Sequence, residues 1–485
     1  MNMGVLSNLE PNDVFRYFEE ISQIPRPSYK EKAISDYLVA FAKKHGLTYY
    51  QDEIYNVIMI KEATPGYEQE DPIIIQGHMD MVCETAPGCT KDMEKEGLDL
   101  YIDGDFIRAR GTTLGADDGI AVAYALALLS SDTLRHPRLE FVCTVSEEVG
   151  MEGAHGIDVS MLKGHTLLNI DSEEEGVVLA SCAGGGNFKV ELPVERKEAR
   201  GLSLTLSIDQ LTGGHSGAEI HKGRANATLL MVRMLTALSK DFGLRLIEME
   251  GGSKDNAIPR ACTATLFLEN ESDQKELEKK VSQMEAEMKK EYAVVDPDLC
   301  IRLRKETETG NSVPVTAEDT RKILALIAAL PCGVQRMSDD IRGLVETSLN
   351  LGITKLNETG LTLSYAVRSS VPTAFEALNA KMTLISEAFG AKATVSAVYP
   401  AWEYVRDSKL RDRMSRVYRE LFGKELRIEA IHAGLECGVL AGKIPGLDAV
   451  SMGPDMFDIH TPNEHLSISS TKRVYDFIVQ LIEAK

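Results

Sequence analysis

Four apolar runs in this chain end in side chains able to bind a metal ion. Pro72-Ile-Ile-Ile-Gln-Gly leads into His78-Met-Asp80, and Leu139-Glu-Phe-Val-Cys-Thr-Val-Ser leads into Glu147-Glu148. Thr166-Leu-Leu-Asn-Ile leads into Asp171, and the run from Ala449 to Ile459 leads into His460. A fifth candidate, Asp117, lies in the glycine-flanked loop Leu114-Gly-Ala-Asp-Asp-Gly119. Singly, each has an ordinary explanation. An H-x-D pair is commonly satisfied inside a core, Glu-Glu is a usual wet turn, Asp117 or Asp118 suits a helix cap, and Asp171 heads an acidic run. Their recurrence at successive strand ends points instead to one shared centre, because open parallel sheets place their sites along the carboxyl edge.

The chemistry of such a set is that of paired divalent ions. Nitrogen and oxygen donors suit Zn²⁺, and two ions held close together need a bridging carboxylate and lower the pKa of bound water. Asp80 is placed to hold the imidazole of His78 in one tautomer. Glu147 and Glu148 diverge in extended chain, so one can ligate while its neighbour stays free as a general base.

The elements that must position these residues follow from periodicity. The first fifty residues are helical: Val14, Phe15, Phe18 and Ile21 share a face, and Ile34, Leu38 and Phe41 share another after a Ser28/Glu31 capping box. Short apolar runs then alternate with helical stretches such as Gly119–Ser130, predicting a largely parallel sheet. From residue 187 the pattern changes. Leu202, Leu204, Leu206 and Ile208 alternate with polar neighbours, as do Thr263–Glu269 and Leu361–Val367, among long amphipathic helices. The expected fold is α/β: a mainly parallel-sheet catalytic domain (1–186 and 397–485) interrupted by an inserted α+β domain of antiparallel strands and helices (187–396).

Composition narrows the function. The 485 residues exceed one compact core, and the net charge of −21 disfavours nucleic acid. The longest apolar run, Ile120–Leu129, falls short of the roughly 18–20 residues of a membrane span. The first residues show neither a basic start nor an apolar core, and eight scattered cysteines without C-x-x-C read as free thiols. The expectation is a cytoplasmic protein without membrane or nucleic-acid partners. No G-x-G-x-x-G or Walker string follows a strand, which argues against nucleotide binding.

Taken together, His78-Met-Asp80, Gly115-Ala-Asp-Asp-Gly119, Glu147-Glu148, Asp171 and His460 resemble the M20 metallopeptidases, most closely their aminoacyl-histidine (Xaa-His, carnosine-type) dipeptidases. Gly213-Gly-His-Ser-Gly-Ala-Glu-Ile-His221, Asn256-Ala-Ile-Pro-Arg260 and His432-Ala-Gly-Leu-Glu-Cys-Gly438 extend the resemblance into the insert. It implies that Asp117 bridges two divalent ions (Zn²⁺ first, Co²⁺ or Mn²⁺ as alternatives), with His78 and Asp171 at one and Glu148 and His460 at the other. It further implies Glu147 as general base, Asp80 orienting His78, and the insert as a lid that also forms a homodimer. His215 resembles the lid histidine that donates to the oxyanion, in cis or from a partner subunit. Asp118 is also able to ligate; alignment of Gly-Ala-Asp selects Asp117. Arg368 suits the carboxylate of a small peptide substrate, with Asn256 and Gly434 as further substrate contacts. His221, Glu436 and His465 flank these motifs without a role. The expected activity is dipeptide hydrolysis. A tripeptidase, an N-acyl amino acid hydrolase and a non-catalytic peptide-binding homologue are the alternatives.

Overall fold

The computed structural model describes residues 4–306 and 310–484. Two compact units emerge. The first runs to Cys182 and resumes over Trp402–Ala430 and from Leu435; the second is Ala183–Ala401 with Ile431–Gly434. The short segment Ile431–Gly434 thus joins the second unit, although hydropathy gives no sign of a change there.

In the first unit, helix Asn12–Ser22 buries Val14, Phe15, Phe18 and Ile21, and helix Lys32–Lys44 buries Ile34, Leu38 and Phe41. The expected capping box does not form. Ser28 Oγ donates to Asp80 instead, and Glu31 accepts from Ser146, so both side chains support other parts of the unit.

Eight strands build the main sheet: β1 (Thr48–Gln51), β2 (Val57–Lys61), β3 (Ile73–His78), β4 (Leu139–Thr144), β5 (Thr166–Asn169), β6 (Val177–Cys182), β7 (Arg427–Ile431) and β8 (Asp448–Ser451). Their spatial order is β1-β2-β4-β3-β5-β8-β6-β7. The central strands β4-β3-β5-β8 pair parallel, while β1 with β2, β2 with β4 and β8 with β6 pair antiparallel. Every residue of β3 and β4 is buried, as covered parallel strands require. Helix Ala116–Ser130 is apolar nearly all round and packs in the same core. The parallel register sets His78 beside Thr144 and Gln76 beside Asn169, so β3 and β4 end together and Asp171, two residues past β5, comes level with His78. A smaller four-stranded sheet joins Leu100–Asp103, Phe106–Ala109, His465–Ser467 and Met456–Phe457.

The second unit carries an antiparallel sheet whose main path runs Cys300–Lys305, Ala199–Asp209, Cys262–Leu268, Leu244–Gly251, Val345–Asn357, Gly360–Ser369, Gly184–Leu192, Lys392–Tyr399. Leu202, Leu204, Leu206 and Ile208 face its core. Helices Ala227–Leu238, Gln274–Glu291, Ala317–Ala329 and Pro372–Ala388 bury apolar faces in that core. All eight cysteines are free. Among the described residues no helix is long and apolar enough to cross a membrane.

Candidate functional site

The level strand ends of the first unit bring five acidic and imidazole groups together. Asp117 stands between two histidines. Its Oδ1 lies 3.1 Å from His78 Nε2 and its Oδ2 lies 3.1 Å from His460 Nε2. Asp171 Oδ1 is 3.8 Å from His78 Nε2, and Glu148 Oε2 is 3.0 Å from His460 Nε2. Ligand atoms of His78, Asp117 and Glu148 lie within 4.8 Å of one another, as do those of His78, Asp118 and Asp171. Asp118 is therefore in the cluster too, but its Oδ2 accepts from the His78 main-chain N–H at 3.1 Å. Gly77 leaves room for it, since a Cβ there would lie 2.4 Å from that oxygen.

The electrostatics are those of a site short of positive charge. Burial pushes Asp118 and Asp171 well above the usual carboxylate range, and neighbouring carboxylates push the same way. Burial also lifts Glu147, to about 8, with Glu436, Glu148 and Asp117 adding to it. Burial works against charge on Asp117, but hydrogen bonds with His460 and His78 outweigh it and hold the carboxyl low. His460 rises to about 10 through its bonds to Asp117 and Glu148. Buried carboxylates crowded this closely fit a divalent cation, and the nitrogen and oxygen donors are those Zn²⁺ accepts. His78 Nδ1 faces Asp80, 3.1 Å from its main-chain oxygen and 3.4 Å from Oδ1, which leaves Nε2 free towards Asp117 and Asp171.

Supporting residues hold these groups. The Asp80 carboxylate accepts from Ser28 Oγ at 2.8 Å and from the main-chain N–H of Glu147 at 3.1 Å and Glu148 at 3.4 Å. Arg26, fully buried, donates to the carbonyls of Met79 and Asp80 at 3.0 Å and of Gly115 at 2.5 Å, clamping two candidate-bearing loops. Gly115 takes φ 65°, and a Cβ there would meet the Arg26 guanidinium at 2.6 Å. The sequence carries no periodic cue to Arg26; its only local signal is the flanking prolines 25 and 27. Glu436 is wholly buried and accepts from Gln76 Nε2 at 2.5 Å and Thr144 Oγ1 at 2.7 Å, joining the ends of β3 and β4.

The remaining candidates belong to the second unit. His215 sits in the short strand Gly214–His215, paired with Ala257. Its Nδ1 accepts from the N–H groups of Gly217 at 3.3 Å and Ala218 at 3.0 Å, so the ring proton resides on Nε2. Burial and then Arg368 keep this imidazole below its ordinary pKa. A Cβ on Gly217 would lie 3.1 Å from both Arg368 Nε and His215 Cε1, and 2.3 Å from the His432 carbonyl, so these groups converge. Arg368 Nη1 donates to Tyr399 Oη at 2.6 Å. His432 meets Ser348 Oγ at 2.7 Å, and burial followed by Arg368 and His215 brings its pKa down to about 3. Asn256 is exposed; its main-chain carbonyl accepts from Ser216 at 2.9 Å. Gly434 ends the Ile431–Gly434 segment. His215 and Asn256 also line one cleft of 720 Å³ together with Thr212, Glu250 and Arg260.

Comparison with known proteins identifies the family. Residues 74–484 match the model of peptidase family M20/M25/M40. A cytosol non-specific dipeptidase of Escherichia coli is 35% identical over 484 residues, 99% of both chains. An aminoacylhistidine dipeptidase of Vibrio alginolyticus superposes with a TM-score of 0.92 at 35% identity, covering 99% of this chain and 98% of the other. An aminopeptidase PepT of Bacillus cereus shares the fold, with a TM-score of 0.55 at 17% identity over 98% of each chain.

Proposed function

The chain belongs to peptidase family M20/M25/M40 and is a peptidase, and from that premise we propose that it hydrolyses unblocked dipeptides, Xaa-His among them, with two divalent metal ions. The observation that carries the reading is Asp117, with one carboxylate oxygen 3.1 Å from His78 and the other 3.1 Å from His460. His78 and Asp171 would hold one ion, Glu148 and His460 the other, and Asp117 both. When bound, the ions, Zn²⁺ or else Co²⁺ or Mn²⁺, polarise the scissile carbonyl and make water a nucleophile near neutral pH.

The chain's own residues do the rest. Glu147 takes the proton of the attacking water and returns it to the departing amine. Burial raises its carboxyl above the usual carboxylate range, the direction a proton shuttle needs. Asp80 keeps the proton of His78 on Nδ1. His215 donates from Nε2 to the developing oxyanion. Arg368 binds the substrate carboxylate, with Asn256 and Gly434 as further substrate contacts. The inserted domain, residues 187–396, acts as lid and dimerisation surface of a cytoplasmic homodimer. The resemblance to the M20 dipeptidases and the relative's cytosolic name support this part of the reading.

A panel of dipeptides, tripeptides and N-acetyl amino acids, offered to metal-reconstituted protein, tests the proposal. Fastest turnover of free dipeptides is expected. Preference for N-acetyl amino acids or tripeptides would reassign the substrate, and no turnover of any would leave a peptide-binding homologue.

A further inference from the structure

Asp117 and His460 are far apart in sequence, so their spacing depends on whatever ties the two loops together. One carboxylate does so. Glu464, 3% exposed, accepts from four successive main-chain N–H groups: Leu114 at 2.7 Å, Gly115 at 2.9 Å, Ala116 at 2.7 Å and Asp117 at 3.4 Å. These donors are free for it because Asp117 and Asp118 have non-helical φ/ψ and the helix proper starts beyond them. Arg26 holds the same loop from its carbonyl side at Gly115.

Glu464 also belongs to the turn that presents His460. Phe457 pairs with His465, and residues 458–464 close the hairpin between them. Within the turn, Glu464 N–H donates to the Thr461 carbonyl at 3.1 Å, and Thr461 Oγ1 donates to the Asp458 carbonyl at 2.7 Å. Arg108 Nη1 adds a bond to the Asn463 carbonyl at 3.0 Å. His460, at the tip with φ 61° and a side chain 44% exposed, has little packing of its own to fix it. By contrast, His78 ends β3 and Asp171 follows β5, and those strands are locked by their own register.

We infer that Glu464 is a positioning residue that sets the distance between Asp117 and His460 and thereby the affinity for the ion shared by Asp117, Glu148 and His460. This rests on the dinuclear reading above. Removing the acceptor would leave up to four buried N–H groups without a partner and free the His460 turn from the Asp117 loop. The pair His78 and Asp171 would be untouched.

Calorimetric titration of the metal-stripped full chain with Zn²⁺ tests this. Wild type should take up two ions per chain. Glu464→Gln, which turns an amide NH₂ towards N–H donors, should weaken the second ion by about 10–100-fold, the range for residues that orient ligands. The first ion, which shares Asp117 but keeps His78 and Asp171, should weaken far less, and Glu464→Asp should fall between. Thermal unfolding of the stripped proteins checks folding, and if Glu464→Gln does not fold, Glu464→Asp decides alone. Two ions bound with wild-type affinity by a folded variant, or equal weakening of both, would overturn the inference. Fewer than two ions on wild type would instead overturn the dinuclear reading itself, and the inference with it.

Discussion

The two units gather titratable groups of opposite kinds. In the first, Asp80, Asp117, Asp118, Glu147, Glu148 and Asp171 crowd around His78 and His460, and burial pushes Asp118, Asp171 and Glu147 towards their neutral forms. In the second, Arg368 neighbours His215 and His432, and burial together with that cation holds both imidazoles below their ordinary pKa. One region holds more carboxylates than cations, and the other offers a guanidinium beside imidazoles of lowered pKa. The contrast matches the two demands of peptide hydrolysis, a cation centre for the water and donors for an anionic substrate. It also separates their costs. Like charges held together are destabilising until a cation arrives, whereas neutral imidazoles beside one guanidinium are tolerable without ligand.

The sharpest way to break this contrast is to withdraw the cations. Exhaustive chelation should abolish dipeptide turnover, and Zn²⁺, Co²⁺ or Mn²⁺ should restore it. Calorimetry should also show metal raising stability, by about 2.7 kcal/mol at a free concentration of 100 times the dissociation constant. Undiminished turnover by protein that elemental analysis finds metal-free would end the reading of the first unit. Next in size is the division of labour between two neighbours. Glu147→Gln should lower kcat by about 10²–10⁴-fold while metal content stays near that of wild type. Glu148→Gln should lower metal content itself. If the two variants exchange these phenotypes, base and ligand are assigned the wrong way round.

What could be read in advance was whatever repeats along the chain. β3, β4 and β5 are fully or mostly buried, so they are written as unbroken apolar runs, and the residue after each run is conspicuous. The alternation of Leu202, Leu204, Leu206 and Ile208 announces a half-buried strand for the same reason. Contacts made once, between distant residues, leave no such trace. Arg26 reaches carbonyls at 79, 80 and 115, and beyond its two flanking prolines nothing in Ile24-Pro25-Arg26-Pro27 foretells it. Ser28 and Glu31 have capping-box spacing, yet Asp80 and Ser146 compete successfully for them. Parallel pairing was legible only where both faces are covered; the flanking β1 and β2 are antiparallel, and β1 is largely exposed.

The second unit should respond more gently, and without loss of metal. His215→Ala removes an Nε2 donor whose tautomer is fixed by two main-chain N–H groups on Nδ1. A fall in kcat of about 10²–10³-fold is expected, with both ions still bound; a fall in metal content would move His215 out of the oxyanion role. Smaller again is Arg368→Lys. The guanidinium is braced by Tyr399 Oη and lies against Gly217, so its planar fork is presented in one orientation. An ammonium keeps the charge but gives up the paired geometry. KM for a free dipeptide should therefore rise by about tenfold, the equivalent of one charge-assisted hydrogen bond, while kcat changes little. The same change measured with a C-terminally amidated dipeptide isolates the cause. Arg368→Lys should then have almost no effect, because the carboxylate it serves is gone, and an equal rise in KM for both substrates would place Arg368 outside carboxylate recognition.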